Sequence, residues 1–62
     1  MKLIDLLKVL YDYNEIELYN NNNEYLGFYY DYANIKEEYQ NKKILSIWVN
    51  DHGQLEIVIE KN

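Results

Sequence analysis

The chain predicts a single α+β domain spanning residues 1–62. It comprises a four-stranded antiparallel sheet made of two hairpins, an N-terminal helix packed on one face, and a short helix between the hairpins. Three observations predict it. Residues 44–60 alternate apolar and polar, turn at Asp51-His52-Gly53, and alternate again. Residues 15–30 do the same around a run of four asparagines. Residues 2–12 instead carry Leu3, Leu6, Leu7 and Leu10 at the i, i+3, i+4, i+7 spacing of one helical stripe.

In the opening helix Ile4 and Tyr11 flank the leucine stripe, and Lys2, Asp5, Lys8 and Asp12 take the other side. Asn14 is a C-terminal stop, because asparagine tolerates the left-handed conformation. Residues 15–19 alternate strictly, so Ile16 and Leu18 point one way and Glu15, Glu17 and Tyr19 the other. Asn20 to Asn23 read as a turn, since asparagine bonds its own backbone. In the returning strand, uninterrupted alternation puts Leu26, Phe28 and Tyr30 inward and Tyr25, Gly27 and Tyr29 outward. Gly27 marks a bulge or a close approach. Asn34 then caps a short helix reaching Glu37 or Gln40, with Ile35 and Tyr39 facing the core. In the last hairpin Leu45, Ile47 and Val49 share a face, as do Leu55, Ile57 and Ile59, and Gly53 supplies a positive φ at the turn.

Composition narrows the function classes. Six lysines, no arginine and eleven carboxylates give a net charge of −5. That opposes direct binding to nucleic acid, whose affinity comes from cations meeting phosphates, and suits a basic protein partner. Without cysteine there is no disulfide and no thiolate zinc site. No apolar run has the length of a signal core or membrane span, so a cytoplasmic location is expected. Asn, Tyr, Ile and Lys are abundant, which reflects AT-rich codons and discounts the asparagine content as a functional sign.

Catalytic constellations are sparse. The single serine, Ser46, falls mid-strand and the single histidine, His52, at a hairpin tip, so a nucleophile–base pair is not expected. Glu37 and Glu38 are adjacent and solvated, and a chain this short leaves little room for the enclosed cleft that raises a carboxylate pKa. The expectation is a non-enzymatic protein with neither metal nor cofactor.

The sheet face away from the helix is more informative. Alternation assigns it Glu15, Glu17, Tyr19, Tyr25, Tyr29, Ser46, Trp48, Glu56, Val58 and Glu60. Tyrosine and tryptophan serve interfaces, with an apolar body and a polar tip. Acids two apart on a strand repeat every ~6.6–6.8 Å. Rows of them, Glu15/Glu17 and Glu56/Glu60, can stand in for a phosphate backbone. Tyr29 and Trp48 are the expected anchors and the four glutamates the steering charges.

The opening Met-Lys-Leu-Ile-Asp-Leu-Leu-Lys-Val-Leu, the Ile-Glu-Leu-Tyr strand and the closing Ile-Leu-Ser-Ile-Trp-Val-Asn-Asp-His-Gly-Gln-Leu-Glu-Ile-Val-Ile resemble small phage and prophage proteins of low-GC bacteria. Such proteins include counter-defence factors, among them anti-CRISPR proteins. The resemblance implies a host-cell setting and no particular site residues. The expected function is an acidic inhibitor that occupies the nucleic-acid-binding surface of a basic host protein such as a nuclease effector. The rival is a self-assembling accessory domain, a homodimer burying Trp48, Val58 and Tyr29.

Overall fold

The computed structural model describes residues 1–10 and 15–62. Along the chain run α1 (Leu3–Leu7), β1 (Ile16–Asn20), β2 (Tyr25–Tyr29), α2 (Glu37–Gln40), β3 (Ile44–Val49) and β4 (Leu55–Ile59), with a 3-10 turn at Tyr32–Asn34 before α2. The two hairpins form, β1 against β2 and β3 against β4, both antiparallel. The sheet as a whole is mixed, in the order β2-β1-β4-β3, because β1 and β4 pair in parallel. This corrects the purely antiparallel sheet. The hairpins join through their inner strands, which run the same way. The chain leaving β2 must therefore return along the sheet before entering β3 at the opposite edge, and residues 30–43 make that crossover.

Burial explains which strands lie inside. Ile16 and Leu18 of β1 and Ile57 and Ile59 of β4 are buried in one cluster with Leu3, Leu7 and Ile35. These four strand residues lie on one side of the two central strands, where neighbours on both flanks exclude water. At roughly 1.5–3 kcal/mol for each fully buried aliphatic side chain, their burial is the main force holding the hairpins together.

Several elements differ from expectation. The leading helix is a five-residue segment, shorter than the 2–12 span; the expected Asn14 stop lies outside the described residues. Asn34 does not cap α2. It ends the 3-10 turn, which Asp31 caps by accepting from the Ala33 N–H at 2.9 Å. In β2 a register shift beside Leu18 and Tyr19 reverses the expected faces. Tyr29 pairs with Ile16 on the core side, while Phe28 pairs with Glu17 on the other. The phenol of Tyr29 donates to the Leu26 carbonyl at 2.7 Å and closes over Gly27. Gly27 has φ +125°, and a Cβ there would meet the Tyr29 oxygen at 2.8 Å. Phe28 and Tyr30, expected inward, stack edge to face at 4.8 Å on the outer side, and Tyr30 is exposed. Leu45, Ile47 and Val49 are also exposed, because β3 is an edge strand that the core cluster does not reach.

Both hairpins turn on the same device. Asn20 Oδ1 accepts from the N–H groups of Asn22 and Glu24, and Asn50 Oδ1 accepts from those of His52 and Gln54. The residue three past each asparagine is left-handed, Asn23 at φ 62° and Gly53 at φ 75°. Asn20 is buried, and its amide donates to Glu24 at 2.8 Å.

Leu18→Ala is expected to cost about 2–5 kcal/mol in urea unfolding, as a cavity at the centre of the cluster. Val49→Ala should change stability by less than about 0.5 kcal/mol. Equal costs at the two positions would contradict the assignment of β1 to the centre and β3 to the edge.

Candidate functional site

Residue alternation leaves the outer side of the sheet to the polar half of each strand, and the strand order decides which of those residues become neighbours. The paired registers run straight across it. One rung holds Phe28, Glu17, Glu56 and Trp48; the next holds Tyr25, Tyr19, Val58 and Ser46. Glu17 and Glu56 are thus direct partners on strands about 4.8 Å apart, flanked by two aromatic rings. Like charges directly opposite each other destabilise a sheet.

Neutral groups hold these carboxylates. The Tyr25 hydroxyl donates to Glu17 at 2.8 Å, the Asn50 amide to Glu56 at 2.9 Å, and the Gln54 amide to Glu15 at 3.0 Å. No lysine falls within any of the four strands. The one ion pair among the described residues, Lys61 with Glu24 at 3.1 Å, lies outside the two rungs. The acids of the face are therefore positioned without being neutralised.

The tyrosines register that field. The hydrogen bond to Glu17 leads the causes that push the Tyr25 phenol from 10 up to about 12, with lost hydration and nearby charge adding to it. Tyr19 is raised by lost hydration first, then by the carboxylates of Glu56 and Glu17. The Tyr19 and Tyr25 rings pack at 5.3 Å, tilted by 56°. An open depression of about 230 Å³ lies between Tyr19, Asn23, Trp48, Glu56 and Val58. Trp48 is 45% exposed at its rim.

The structure gathers Glu17, Tyr19, Tyr25, Trp48, Glu56 and Val58 on this side, with Glu15 held just beyond β1 by Gln54. Two expected members stand apart. Tyr29 is on the core side, where burial and then Tyr39 raise its pKa. Glu60 follows β4, donates its N–H to Lys43, and lines a separate cavity of about 220 Å³ with Glu38, Tyr39 and Lys42. Phe28 and Tyr30 take the places sequence reasoning gave elsewhere; the bulge signalled by Gly27 was the available clue. His52 is exposed at a hairpin tip, and among the described residues no three metal-binding side chains cluster. Nor, among them, is any helix long and apolar enough to cross a membrane.

Two measurements check this electrostatic picture. In a carbon-13 NMR titration Tyr25 should ionise near 12, and Glu17→Gln should bring it back down. Its folded-state value lies above the ordinary 10, so the hydrogen bond stabilises the fold below that pH and the contribution is lost as pH rises through about 12. A Tyr25 that ionises near 10 would remove the bond to Glu17. Separately, Glu56→Gln should raise stability by about 0.2–1 kcal/mol at low salt, because it relieves the pair with Glu17 and keeps an acceptor for Asn50. A loss of stability would mean the two carboxylates do not repel across the strands.

No protein-family model matches the chain, and no curated protein and no solved structure matches it.

Proposed function

We propose that this chain is a small non-enzymatic binding module whose outer sheet face docks on a basic protein surface. The observation that carries this is the Glu17–Glu56 pair, set between Phe28 and Trp48 and held by neutral donors only. A sheet kept only for stability has no use for two carboxylates side by side at its centre. A partner cation placed between them would turn that repulsion into attraction. The rings alongside supply apolar contact and can face an incoming lysine or arginine. Among the described residues, Leu3 and Leu7 of α1 cluster with Ile16, Leu18, Ile57 and Ile59, the strand residues that point away from this face.

The partner class follows from the chemistry. Surfaces that hold phosphates are rich in lysine and arginine, so a row of fixed carboxylates competes for the same cations. The reading is an inhibitor of a nucleic-acid-handling protein such as a nuclease effector. It is anti-CRISPR-like in mode, acts in the cytoplasm of a host cell, and does not bind nucleic acid itself.

The test captures partners from host lysate on the immobilised chain and then measures the isolated pair. The bound species should handle nucleic acid, and free nucleic acid should compete with the chain for it. Combining Glu17→Lys with Glu56→Lys should weaken binding more than tenfold, or about 1.4 kcal/mol. Affinity should also fall steeply between about 50 and 200 mM salt. Binding that ignores both charge reversal and salt would refute the reading.

A further inference from the structure

The second exposed feature of the molecule is an edge. β3 borders the sheet, and every residue from Leu45 to Val49 is exposed. The strand Ile44–Val49 holds no charge and no proline, the usual guards against edge-to-edge pairing. The opposite edge, β2, is interrupted by the bulge and the positive φ of Gly27. In β3 the irregularity falls at its start, between Ile44 and Ser46.

The backbone of this edge can be followed. Asn50 donates its N–H to Gln54 across the hairpin, and Leu55 donates its own toward Glu15 of the β1 side. Hydrogen-bond direction alternates along an antiparallel strand, so Ile47 and Val49 turn their N–H and C=O groups outward. Among the described residues none bonds to them there. The edge already takes a strand where it can. Ile44 donates to the Met1 carbonyl at 2.8 Å, Leu3 donates to that of Lys42 at 2.9 Å, and Lys2 bridges Lys43. That short pairing ends where the free stretch begins.

We propose that a second copy of this chain pairs antiparallel with β3 across a two-fold axis near Ile47, joining two sheets into one of eight strands. The sequence is self-complementary about that residue. Ile47 meets its own copy, Leu45 meets Val49, and the small Ser46 meets Trp48. Charge agrees. One end of the free stretch carries the bridged lysines Lys2 and Lys43 and the other carries exposed Asp51, so antiparallel docking sets unlike charges together twice. A parallel docking would set like against like.

Leu45, Ile47, Trp48 and Val49 are 46, 42, 45 and 64% exposed. With a full surface on the order of 200 Å² for each large apolar residue, complete coverage of these four in both copies sets an upper limit of roughly 800 Å². That is the low end of interface sizes, the range of weak and transient association. Ile47 and Val49 lie on the core side of the sheet, in register with Ile57 and Leu55, and only Ser46 and Trp48 of this edge belong also to the acidic face.

Sedimentation of the whole chain from about 5 µM to about 1 mM tests the proposal. The expected result is a monomer at the low end passing to a dimer. Val49→Lys should raise Kd more than tenfold while leaving the thermal melt of the dilute protein unchanged. Asp51→Lys, at an exposed tip, should weaken the dimer as well, and adding Lys43→Glu should restore it. In this cysteine-free chain Ile47→Cys should form a disulfide dimer under mild oxidation, whereas Asn22→Cys should not. A monomer at about 1 mM, or a dimer indifferent to Val49→Lys, would overturn the proposal. Equal crosslinking at positions 22 and 47 would overturn the two-fold axis.

Discussion

The parallel pairing of β1 with β4 decides what each side of the sheet becomes. Its register sets Leu18 beside Ile57 and, one residue earlier on each strand, Glu17 beside Glu56. The two outcomes cannot be separated, because side chains on a strand alternate and a one-residue slip would exchange the faces. Burial fixes the choice. Ile16, Leu18, Ile57 and Ile59 each contribute roughly 1.5–3 kcal/mol by leaving water. The repulsion of two facing carboxylates costs only about 0.2–1 kcal/mol. The apolar side dictates the register, and the acidic side accepts the consequence.

Around that pairing the rest of the chain resolves chain ends and polar groups. The asparagine turns satisfy the backbone at each hairpin, one at either end of the sheet, since the central strands run the same way. The C-terminal tail ties back to the first turn: Asn21 donates to Ile59, Lys61 donates to Asn21 Oδ1, and Lys61 pairs with Glu24. The Asn20 amide, the largest single cause, and then the hydrogen bond and charge of Lys61 hold the Glu24 carboxyl below its usual range. The crossover anchors through Ile35, which is buried, while its carbonyl accepts from the Gln40 amide at 2.7 Å. What is left exposed then sorts by chemistry. Glutamates and rings occupy the outer face, and an uncharged strand occupies one edge.

The hairpins were legible because their signals are local. Alternation from Ile44 to Ile59 broken by Asp51-His52-Gly53, and the asparagine run after Tyr19, state a strand, a turn and a strand within a few residues. The outer placement of Glu17, Tyr19, Tyr25, Trp48 and Glu56 came from the same alternation. The pairing of residues 16–20 with residues 55–59 was not legible, since nothing local marks a contact so distant in sequence. The Glu17–Glu56 adjacency was lost with it. Alternation also fails across a bulge, which is why Tyr29 and Phe28 exchanged sides around Gly27. Ile47 and Val49 teach a different limit. Their spacing identifies a face correctly, but it cannot say whether anything lies over that face at the sheet's margin.

The pairing of the central strands is open to direct measurement by proton NMR of the dilute protein. Parallel β1 and β4 in the register Ile16 with Leu55 and Leu18 with Ile57 should give cross-strand amide contacts between residues 16–20 and 55–59. The close Hα–Hα contacts of an antiparallel pair should be confined to the two hairpins and to the short Lys2–Lys43 bridge. Strong Hα–Hα contacts between β1 and β4, or contacts of β1 with β3 in their place, would separate Glu17 from Glu56 and dissolve the acidic face on which the functional reading stands.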